Sequence, residues 1–255
     1  MNTKGKILEL VREYWKEREP QRFRGGETYI PAAKAYYDAK EVLALVSASL
    51  DMKWVDGEIT RTFEKEMAKY LGVRFAIMTN SGSSANLLAI SALTSPLFQS
   101  NRLKPGDEVI TVAAGFPTTV NPIIQNGMVP VFVDVNVGTY NTTPYMVDQA
   151  ITEKTRAIFI AHTLGNPYDI DEIKEIAKLH NLWVIEDACD ALGAEFDGRK
   201  VGTFGNVSTT SFYPAHLMAV GEGGMVFTDS PMIAKAVRSF RDWGRECWCA
   251  PGKDN

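Results

Sequence analysis

The sequence predicts an α/β fold with a mostly parallel, seven-stranded sheet. Seven short, β-rich apolar segments occur between residues 74 and 228, and helical segments separate the first five of them. Several of these segments are apolar on both faces, as buried parallel strands are. With 255 residues, 45% hydrophobic and 23% charged, the chain is long enough to bury such a sheet without disulfide or metal support.

The N-terminal part is predicted to be helical. Apolar residues recur at helical spacing from residue 3 to residue 18, and Pro20 ends that helix. Two more helices follow, and Gly72 ends the third helix of the chain. The three predicted helices cover residues 3–18, 40–50 and 58–71.

Strands and helices alternate from there on. The predicted strands are 74–79, 108–112, 130–134, 156–160, 182–186, 207–213 and 224–228. The predicted helices beside them are 84–95, 118–127, 144–152, 170–180 and 231–244. We expect an N-terminal helical segment over residues 1–57 and a large domain over 58–255. No strand or helix closes the fold after residue 244, so we also expect a C-terminal domain that is missing from this sequence.

Composition excludes several classes of function. The net charge is -4 and the pI about 5.5, which indicates neither nucleic acid nor an anionic membrane as partner. No apolar run approaches the ~20 residues of a membrane span, and the charged N-terminus lacks the pattern of a signal peptide. We therefore expect a cytoplasmic protein. Two of its three cysteines form a Cys-x-Cys pair, which in a reducing compartment favours a metal or redox role.

A candidate phosphate site follows the first predicted strand. The strand runs into the small polar turn Asn80-Ser81-Gly82-Ser83 and then into a helix. Free backbone N–H groups at a helix N-terminus attract phosphate, so Gly82 and Ser83 are candidate ligands. The alternative is an ordinary turn in which a serine caps the helix.

Two further candidates follow other strands. Asp187 ends an apolar strand, where ligands sit in open α/β sheets, and its carboxylate could pair with a protonated ring nitrogen of a cofactor. A solvated strand end is the alternative. Phe116 could stack on a flat ring, although core packing is the commoner role of an aromatic residue.

Histidine is the side chain best suited to proton transfer near neutral pH. His216 follows the strand that contains Ser211 and is expected at the same sheet edge as Asp187. A lone histidine is more often structural than catalytic. His162 follows another strand, so a role in a pocket stays open, whereas His180 is expected at a surface helix end.

Together these segments resemble the aspartate-aminotransferase-like large domain of fold-type-I pyridoxal-phosphate enzymes, and within them the sugar aminotransferases and dehydratases. The resemblance runs from about residue 30 to the end. Its strongest pieces are TNSGSSANLLAI, GDEVITVAAGFPTTVNPI, PVFVDV, HTLGNP, VIEDACDALGA, GTFG and SFYPAH…GEGG.

The resemblance implies a role for each matching residue. The cofactor phosphate would be held by the turn at Gly82 and Ser83 and by Ser211. Phe116 would stack on the pyridine ring, and Asp187 would pair with its nitrogen. Asp190 falls where a polar residue, often Gln or His, touches the ring oxygen.

One position departs from the aminotransferases of this group. They carry a lysine five residues after the serine, and this chain has His216 there, with no lysine from residue 201 to residue 234. Without that amine the cofactor has no covalent anchor. The departure resembles a dehydratase branch that holds pyridoxamine phosphate and uses histidine for proton transfer.

The cysteines resemble a second pattern within that branch. Cys189 and Cys247 are separated by 57 residues, and one residue separates Cys247 from Cys249. Iron–sulfur 3-dehydratases of the 3,6-dideoxyhexose pathway have C-x57-C-x-C-x7-C, which would bind a [2Fe–2S] cluster. The fourth cysteine would fall at position 257, so we expect the 255-residue chain alone to hold no stable cluster and to be inactive.

That resemblance implies a substrate and partners. The substrate would be CDP-4-keto-6-deoxyglucose, and an NAD(P)H-dependent iron–sulfur flavoprotein reductase would supply electrons to a homodimer. Two alternatives stay open. One is a cluster-free dehydratase that acts on GDP-4-keto-6-deoxymannose. The other is a catalytically silent sensor or scaffold that binds the cofactor or a nucleotide.

Overall fold

The computed structural model describes residues 2–18, 22–31 and 37–245. It divides into two compact units between Thr62 and Phe63. The sequence analysis places its division at 57/58, and helix α3 (Glu58–Leu71) crosses the structural division. In the described part of the chain, no helix is both long and apolar enough to cross a membrane.

The N-terminal unit contains helices α1 (Thr3–Glu17) and α2 (Ala39–Leu50). The side chain of Asn2 caps α1 by accepting a hydrogen bond from the Gly5 N–H at 2.9 Å. Asp38 and Glu41 form a capping box at the start of α2. Both helices match their predicted bounds to within one residue.

The second unit is a layered α/β structure. Its strands are β1 (Phe75–Thr79), β2 (Glu108–Val112), β3 (Val129–Val133), β4 (Thr155–Ala161), β5 (Trp183–Asp187), β6 (Glu195–Phe196), β7 (Arg199–Lys200), β8 (Val207–Ser211) and β9 (Gly224–Thr228). Its helices after α3 are α4 (Gly82–Ala92), α5 (Pro117–Gln125), α6 (Pro144–Gln149), α7 (Ile170–Leu179) and α8 (Pro231–Arg241).

The main sheet has the strand order β1-β9-β8-β5-β4-β2-β3. Its four pairings from β8 to β3 are parallel, whereas β9 is antiparallel to both of its neighbours. The seven-stranded, mostly parallel sheet that the sequence predicts is therefore confirmed. The hairpin of β6 and β7 was not predicted, because strands of two residues are too short to show an alternating pattern.

Strand β4 shows why the sheet is buried on both faces. Ala157 and Phe159 pack into an apolar cluster with α4, α5 and α8, whereas Ile158 and Ile160 pack into another with α6 and α7. Successive side chains of a strand point to opposite faces, so an unbroken apolar run supplies both clusters.

Element ends differ from prediction where side chains bond to the backbone. The strand predicted over 207–213 ends at Ser211, because the Ser211 hydroxyl accepts a hydrogen bond from the Tyr213 N–H at 3.2 Å and the chain turns. Helix α4 begins at Gly82, two residues early, because Ser81 caps it. The 3₁₀ helix Pro96–Asn101 was not predicted.

A buried acid fixes the loop before β8. Glu186 is fully buried and accepts hydrogen bonds from the N–H groups of Gly202 (2.8 Å), Phe204 (2.7 Å) and Gly205 (2.5 Å). Its Oε2 also lies 3.0 Å from Nε2 of the equally buried His162. Burial by itself would raise the pKa of Glu186, but His162 and the backbone donors outweigh burial and hold this pKa below its ordinary value.

Because Glu186 and His162 form a buried pair, we expect the fold to lose stability in acid. Since the folded-state pKa of Glu186 is lowered, its stabilising contribution is present above its ordinary value of 4.5 and is lost as the pH falls through the folded-state pKa. Glu186→Gln should lower the free energy of unfolding at pH 7 by roughly 3 kcal/mol and flatten its fall between about pH 5 and pH 3. Urea unfolding across that range measures both effects. Glu175→Gln, at an exposed pair with Lys178, is the control, and an unchanged acid slope in Glu186→Gln would contradict the assignment.

Candidate active site

The ends of six strands meet at one edge of the sheet. Strands β1 and β8 are both antiparallel to β9, so β1 runs in the same direction as the parallel strands. The residues that follow β1, β2, β4, β5 and β8 line a cavity of about 540 Å³ at this edge. A cavity of that size suits a cofactor or a similar small molecule.

This cavity brings together the candidates that the sequence singled out. Its described lining includes Gly82, Ser83, Phe116, Asp187, Cys189, Asp190, Ser211 and His216. Cys247 and Cys249 lie outside the described residues. Within residues 2–18, 22–31 and 37–245, no three His, Cys, Asp or Glu side chains are grouped to hold a metal ion.

The N-terminus of α4 forms one wall of the cavity. The hydroxyl of Ser81 accepts a hydrogen bond from the Ser84 N–H at 3.1 Å and so caps the helix. The N–H groups of Gly82 and Ser83 have no acceptor among the described residues. Free N–H groups and the helix dipole together favour an anion at this point.

Gly82 lets this wall approach strand β8. A Cβ atom at Gly82 would overlap the Cβ of Ser211 and lie 2.8 Å from its Oγ. The absence of a side chain therefore brings the Ser211 hydroxyl beside the free N–H groups of α4. The sequence pointed to all three groups, but their closeness depends on a contact between distant segments.

Asp187 lines the cavity and is 4% exposed. Its Oδ2 accepts hydrogen bonds from Asn86 Nδ2 at 2.8 Å and Thr119 Oγ1 at 2.7 Å. Its Oδ1 accepts one from the Cys189 N–H at 3.1 Å. A buried carboxylate needs such partners, so its position is strongly fixed. The alternative of a solvated strand end is wrong.

The partners of Asp187 were not among the predicted site residues. Asn86 is fully buried on α4, and its Oδ1 accepts a hydrogen bond from Thr209 Oγ1 at 2.5 Å. The signal for Asn86 was available, since a buried polar residue in the apolar run ANLLAI requires a partner. Thr119 and Thr209 carried no such signal, because threonine is ordinary in helices and strands.

Phe116 precedes α5 at the cavity wall. Its side chain is 70% exposed and lines the cavity, so the commoner reading as a core residue is wrong. A flat, exposed aromatic at the mouth of a cavity presents a face on which a ring can stack.

His216 and Asp190 also line the cavity and lie close together. Nδ1 of His216 lies 3.1 Å from Oδ1 of Asp190, and the His216 N–H donates to the Tyr213 carbonyl at 2.9 Å. The two side chains are 23% and 49% exposed. Asp190 thus contacts the histidine, a pairing that the sequence did not predict.

The other two histidines are held elsewhere. His162 is buried against Glu186, and its ring stacks on Tyr168 with centroids 4.3 Å apart. It does not line the described cavity, which excludes the pocket role that the sequence left open. His180 is half exposed at the end of α7, as expected.

Cys189 lines the cavity beside Asp187. Burial raises the pKa of its thiol well above the ordinary value, and the nearby carboxylates of Asp187 and Asp190 raise it further. The protonated thiol is therefore favoured in this arrangement of the chain.

Residues 37–250 match the sequence pattern of the DegT/DnrJ/EryC1/StrS aminotransferase family. The chain belongs to this family. Among curated relatives, a dTDP-4-dehydro-2,6-dideoxy-D-glucose 3-dehydratase of Saccharopolyspora spinosa is 55% identical over 254 residues, which are 100% of this chain and 55% of that protein. The lipopolysaccharide biosynthesis protein RfbH of Salmonella typhimurium is 53% identical over 100% of this chain and 58% of its own length.

Solved structures show the same fold. A GDP-4-keto-6-deoxymannose-3-dehydratase with a trapped PLP-glutamate geminal diamine superimposes with a TM-score of 0.79 at 36% identity, covering 85% of this chain and 55% of that one. The aminotransferase from Psychrobacter cryohalolentis gives 0.79 at 32% identity, covering 88% and 57%. The fold is therefore that of the fold-type-I aminotransferases. This family member spans little more than half the length of the relatives it matches.

Gly82→Ala tests the close approach of α4 and β8. The added methyl group has no space against Ser211, so the two elements must separate, and the free energy of unfolding should fall by about 1–3 kcal/mol. Chemical denaturation measures this loss. Gly25→Ala is the control, since nothing lies within 4 Å of a Cβ there. Equal stability of Gly82→Ala and Gly25→Ala would contradict the proposed contact.

Proposed function

We propose that this chain binds pyridoxamine or pyridoxal 5′-phosphate without a covalent bond and forms the active site of a nucleotide-sugar 3-dehydratase. The observation that carries the proposal is the composition of the cavity. Its wall combines a helix N-terminus, an exposed aromatic ring and a buried carboxylate, and none of its described lining residues is a lysine. A histidine occupies the position at which aminotransferases of this group have the lysine.

The described residues fit the cofactor. The free N–H groups of Gly82 and Ser83, with the Ser211 hydroxyl, suit its phosphate. Phe116 suits the face of its ring, and Asp187 suits the ring nitrogen. When bound, the amine form supplies a primary amine that condenses with the sugar ketone and a ring that takes up electrons.

His216 would act as the proton-transfer residue. Its ring lines the cavity, and its Nδ1 lies 3.1 Å from Oδ1 of Asp190. An imidazole at this place can accept or donate a proton near neutral pH. Asp187 would orient the cofactor, and Asn86 and Thr119 would hold Asp187. The 3-dehydratases among the relatives support dehydration as the reaction, with loss of the C3 hydroxyl of a 4-keto sugar.

The finer proposal concerns substrate and electron supply. The cysteine spacing supports an activity of the CDP-6-deoxy-L-threo-D-glycero-4-hexulose-3-dehydrase type, with CDP-4-keto-6-deoxyglucose as substrate, a [2Fe–2S] cluster and an NAD(P)H-dependent flavoprotein reductase. The homodimer stays a prediction.

His216→Asn tests the proposed base. The substitution keeps size and polarity but removes the titratable nitrogen, so dehydration by the complete gene product should slow by about 10²–10⁴-fold, or roughly 3–5 kcal/mol of barrier. Cofactor affinity should change little, because the phosphate site and Asp187 are untouched. His180→Asn, on the surface, is the control. Near wild-type dehydration by His216→Asn would contradict the role.

The same assay separates the alternatives. CDP-, dTDP- and GDP-linked 4-keto-6-deoxy sugars are compared as substrates, because relatives are named for the latter two nucleotides. If the protein binds the cofactor but dehydrates none of the three nucleotide sugars, the proposed dehydratase activity is wrong and the catalytically silent sensor or scaffold is favoured.

Iron analysis tests the cluster. The complete gene product, purified without oxygen, should contain about two iron atoms per chain and show visible charge-transfer absorbance, both lost in Cys249→Ser. Cys189 is avoided here because it also lines the cofactor cavity. Dehydration by an iron-free protein would favour the cluster-free alternative.

A further inference from the structure

Two adjacent glycines stand where the segment GEGG enters β9, and the proposed function assigns no role to them. The second of them, Gly224, is the first residue of β9 and is buried. It pairs with Thr79 of β1 on one side and with Ser211 of β8 on the other. Gly224 therefore lies between the end of the strand that leads into α4 and the end of the strand that carries Ser211.

A side chain at position 224 has no space. A Cβ atom there would come 2.1 Å from the carbonyl oxygen of Ser81, 2.3 Å from its carbonyl carbon and 2.6 Å from the nitrogen of Gly82. These three atoms belong to one peptide group, and that group carries the Gly82 N–H. Because a peptide group cannot rotate away as the end of a side chain can, the methyl group of an alanine would displace the peptide itself.

Close contact, and not an unusual backbone conformation, requires the glycine. Neither Gly82 nor Gly224 has a φ in the left-handed region, so alanine could adopt the backbone conformation of either residue. The same peptide group is also closely packed toward β8, because a Cβ at Gly82 would come 2.4 Å from the Cβ of Ser211. The start of α4 is thus placed by contacts with two neighbouring strands.

The Ser211 hydroxyl beside this peptide group also has a donor to spare. Ser211 is 6% exposed and lines the cavity, and its Oγ accepts a hydrogen bond from the Tyr213 N–H at 3.2 Å. Within the described chain, no group accepts the proton of that hydroxyl. A buried donor without an acceptor, next to the free N–H groups of Gly82 and Ser83, favours an anion at this point of the cavity.

We propose that Gly224 is a positioning residue for the cofactor phosphate. Because it has no side chain, the Ser81–Gly82 peptide can lie where the N–H groups of α4 and the Ser211 hydroxyl serve one anion. Gly224 is not among the residues that line the described cavity, so it acts through this peptide group alone. The inference rests on the proposed function, which puts a phosphorylated cofactor in the cavity.

The fold can tolerate a methyl group at position 224. The contact involves the turn before α4 and the first residue of β9, at the edge of the sheet. Later residues of α4, among them Ala85 and Ala89, are fully buried in the core and hold the helix independently of its first turn. The strain can therefore be relieved by a shift of the first turn, which is the part that carries the free N–H groups.

Gly223 is a matched control at the adjacent position. Its φ is also outside the left-handed region. A Cβ there would come 2.7 Å from Met78 Cε, 2.9 Å from Val220 Cγ2 and 3.3 Å from Phe212 Cδ2, which are all side-chain atoms. Gly223→Ala thus imposes a packing stress of the same kind without pressing on the peptide group at the start of α4.

Calorimetric titration of the complete gene product, freed of cofactor, with pyridoxamine 5′-phosphate and with pyridoxamine tests the proposal. The two ligands share the ring and the amine, and only one has a phosphate. In Gly224→Ala the preference for the phosphorylated ligand should fall about 10–100-fold, as expected for one lost charge-assisted hydrogen bond. The affinity for pyridoxamine should change little, because Phe116 and Asp187 are untouched. Gly223→Ala should keep the wild-type preference.

Inorganic phosphate is the second probe, because it has no ring. Its dissociation constant, measured by competition with pyridoxamine 5′-phosphate, should rise about 10–100-fold in Gly224→Ala and stay at the wild-type value in Gly223→Ala. Thermal unfolding without ligand is measured for both variants. A structural role would weaken the binding of every ligand together, whereas the positioning role weakens the binding of phosphate groups only.

An unchanged preference in Gly224→Ala, or an equal loss of affinity for both pyridoxamine ligands, would overturn the proposal. An unfolded Gly224→Ala beside a folded Gly223→Ala would overturn it too, because the fold alone would then require the glycine. Equal binding of both ligands by the wild type would refute the phosphate site of the proposed function itself. Dehydration of a sugar does not enter these measurements, so failure of the dehydratase assignment leaves this inference to be decided by binding.

Discussion

The buried carboxylate of Asp187 organises the cavity. A carboxylate removed from water must be hydrogen-bonded, and its donors come from different elements: Asn86 from α4 and Thr119 from α5. Thr209 of β8 holds Asn86 in turn. One charged group thus ties two helices and a neighbouring strand to the end of β5. The free N–H groups of α4 and the exposed ring of Phe116 are placed as a result.

Two adjacent acids at the end of β5, Glu186 and Asp187, point to opposite faces of the sheet and have different partners. Asp187 turns to the side of α4 and α5, whereas Glu186 turns to the opposite face and binds His162 and the loop 202–205. The alternation of a strand makes this division automatic. The acid on one face serves the cavity, and the acid on the other stabilises the loop from which β8 starts. His162 contacts Glu186 on this second face, so His216 is the histidine that lines the described cavity.

Local patterns predicted most of the fold, and long-range contacts limited the prediction of the site. Apolar runs, together with the proline and glycine residues that end helices, locate the strands and helices to within a few residues, because these signals act over neighbouring positions. The sequence also placed Asp187 and His216 at the same sheet edge, because both follow predicted strands. It could not show that Phe116 is exposed or that Asp190 faces His216. Those facts depend on contacts between loops that are distant in the sequence. Asn86 is the exception, because a polar residue in an apolar helix signals its own buried partner.

The central claim is that this cavity holds its cofactor without a covalent bond, because a histidine stands where a lysine would anchor it. Borohydride reduction followed by peptide mass spectrometry tests this claim most directly. The protein is incubated with one equivalent of pyridoxal phosphate, and the His216→Lys variant is treated in parallel. The account predicts cofactor that gel filtration removes from the wild type after reduction, and a stable adduct at position 216 in the variant. A stoichiometric adduct on any lysine of the wild-type chain would contradict it.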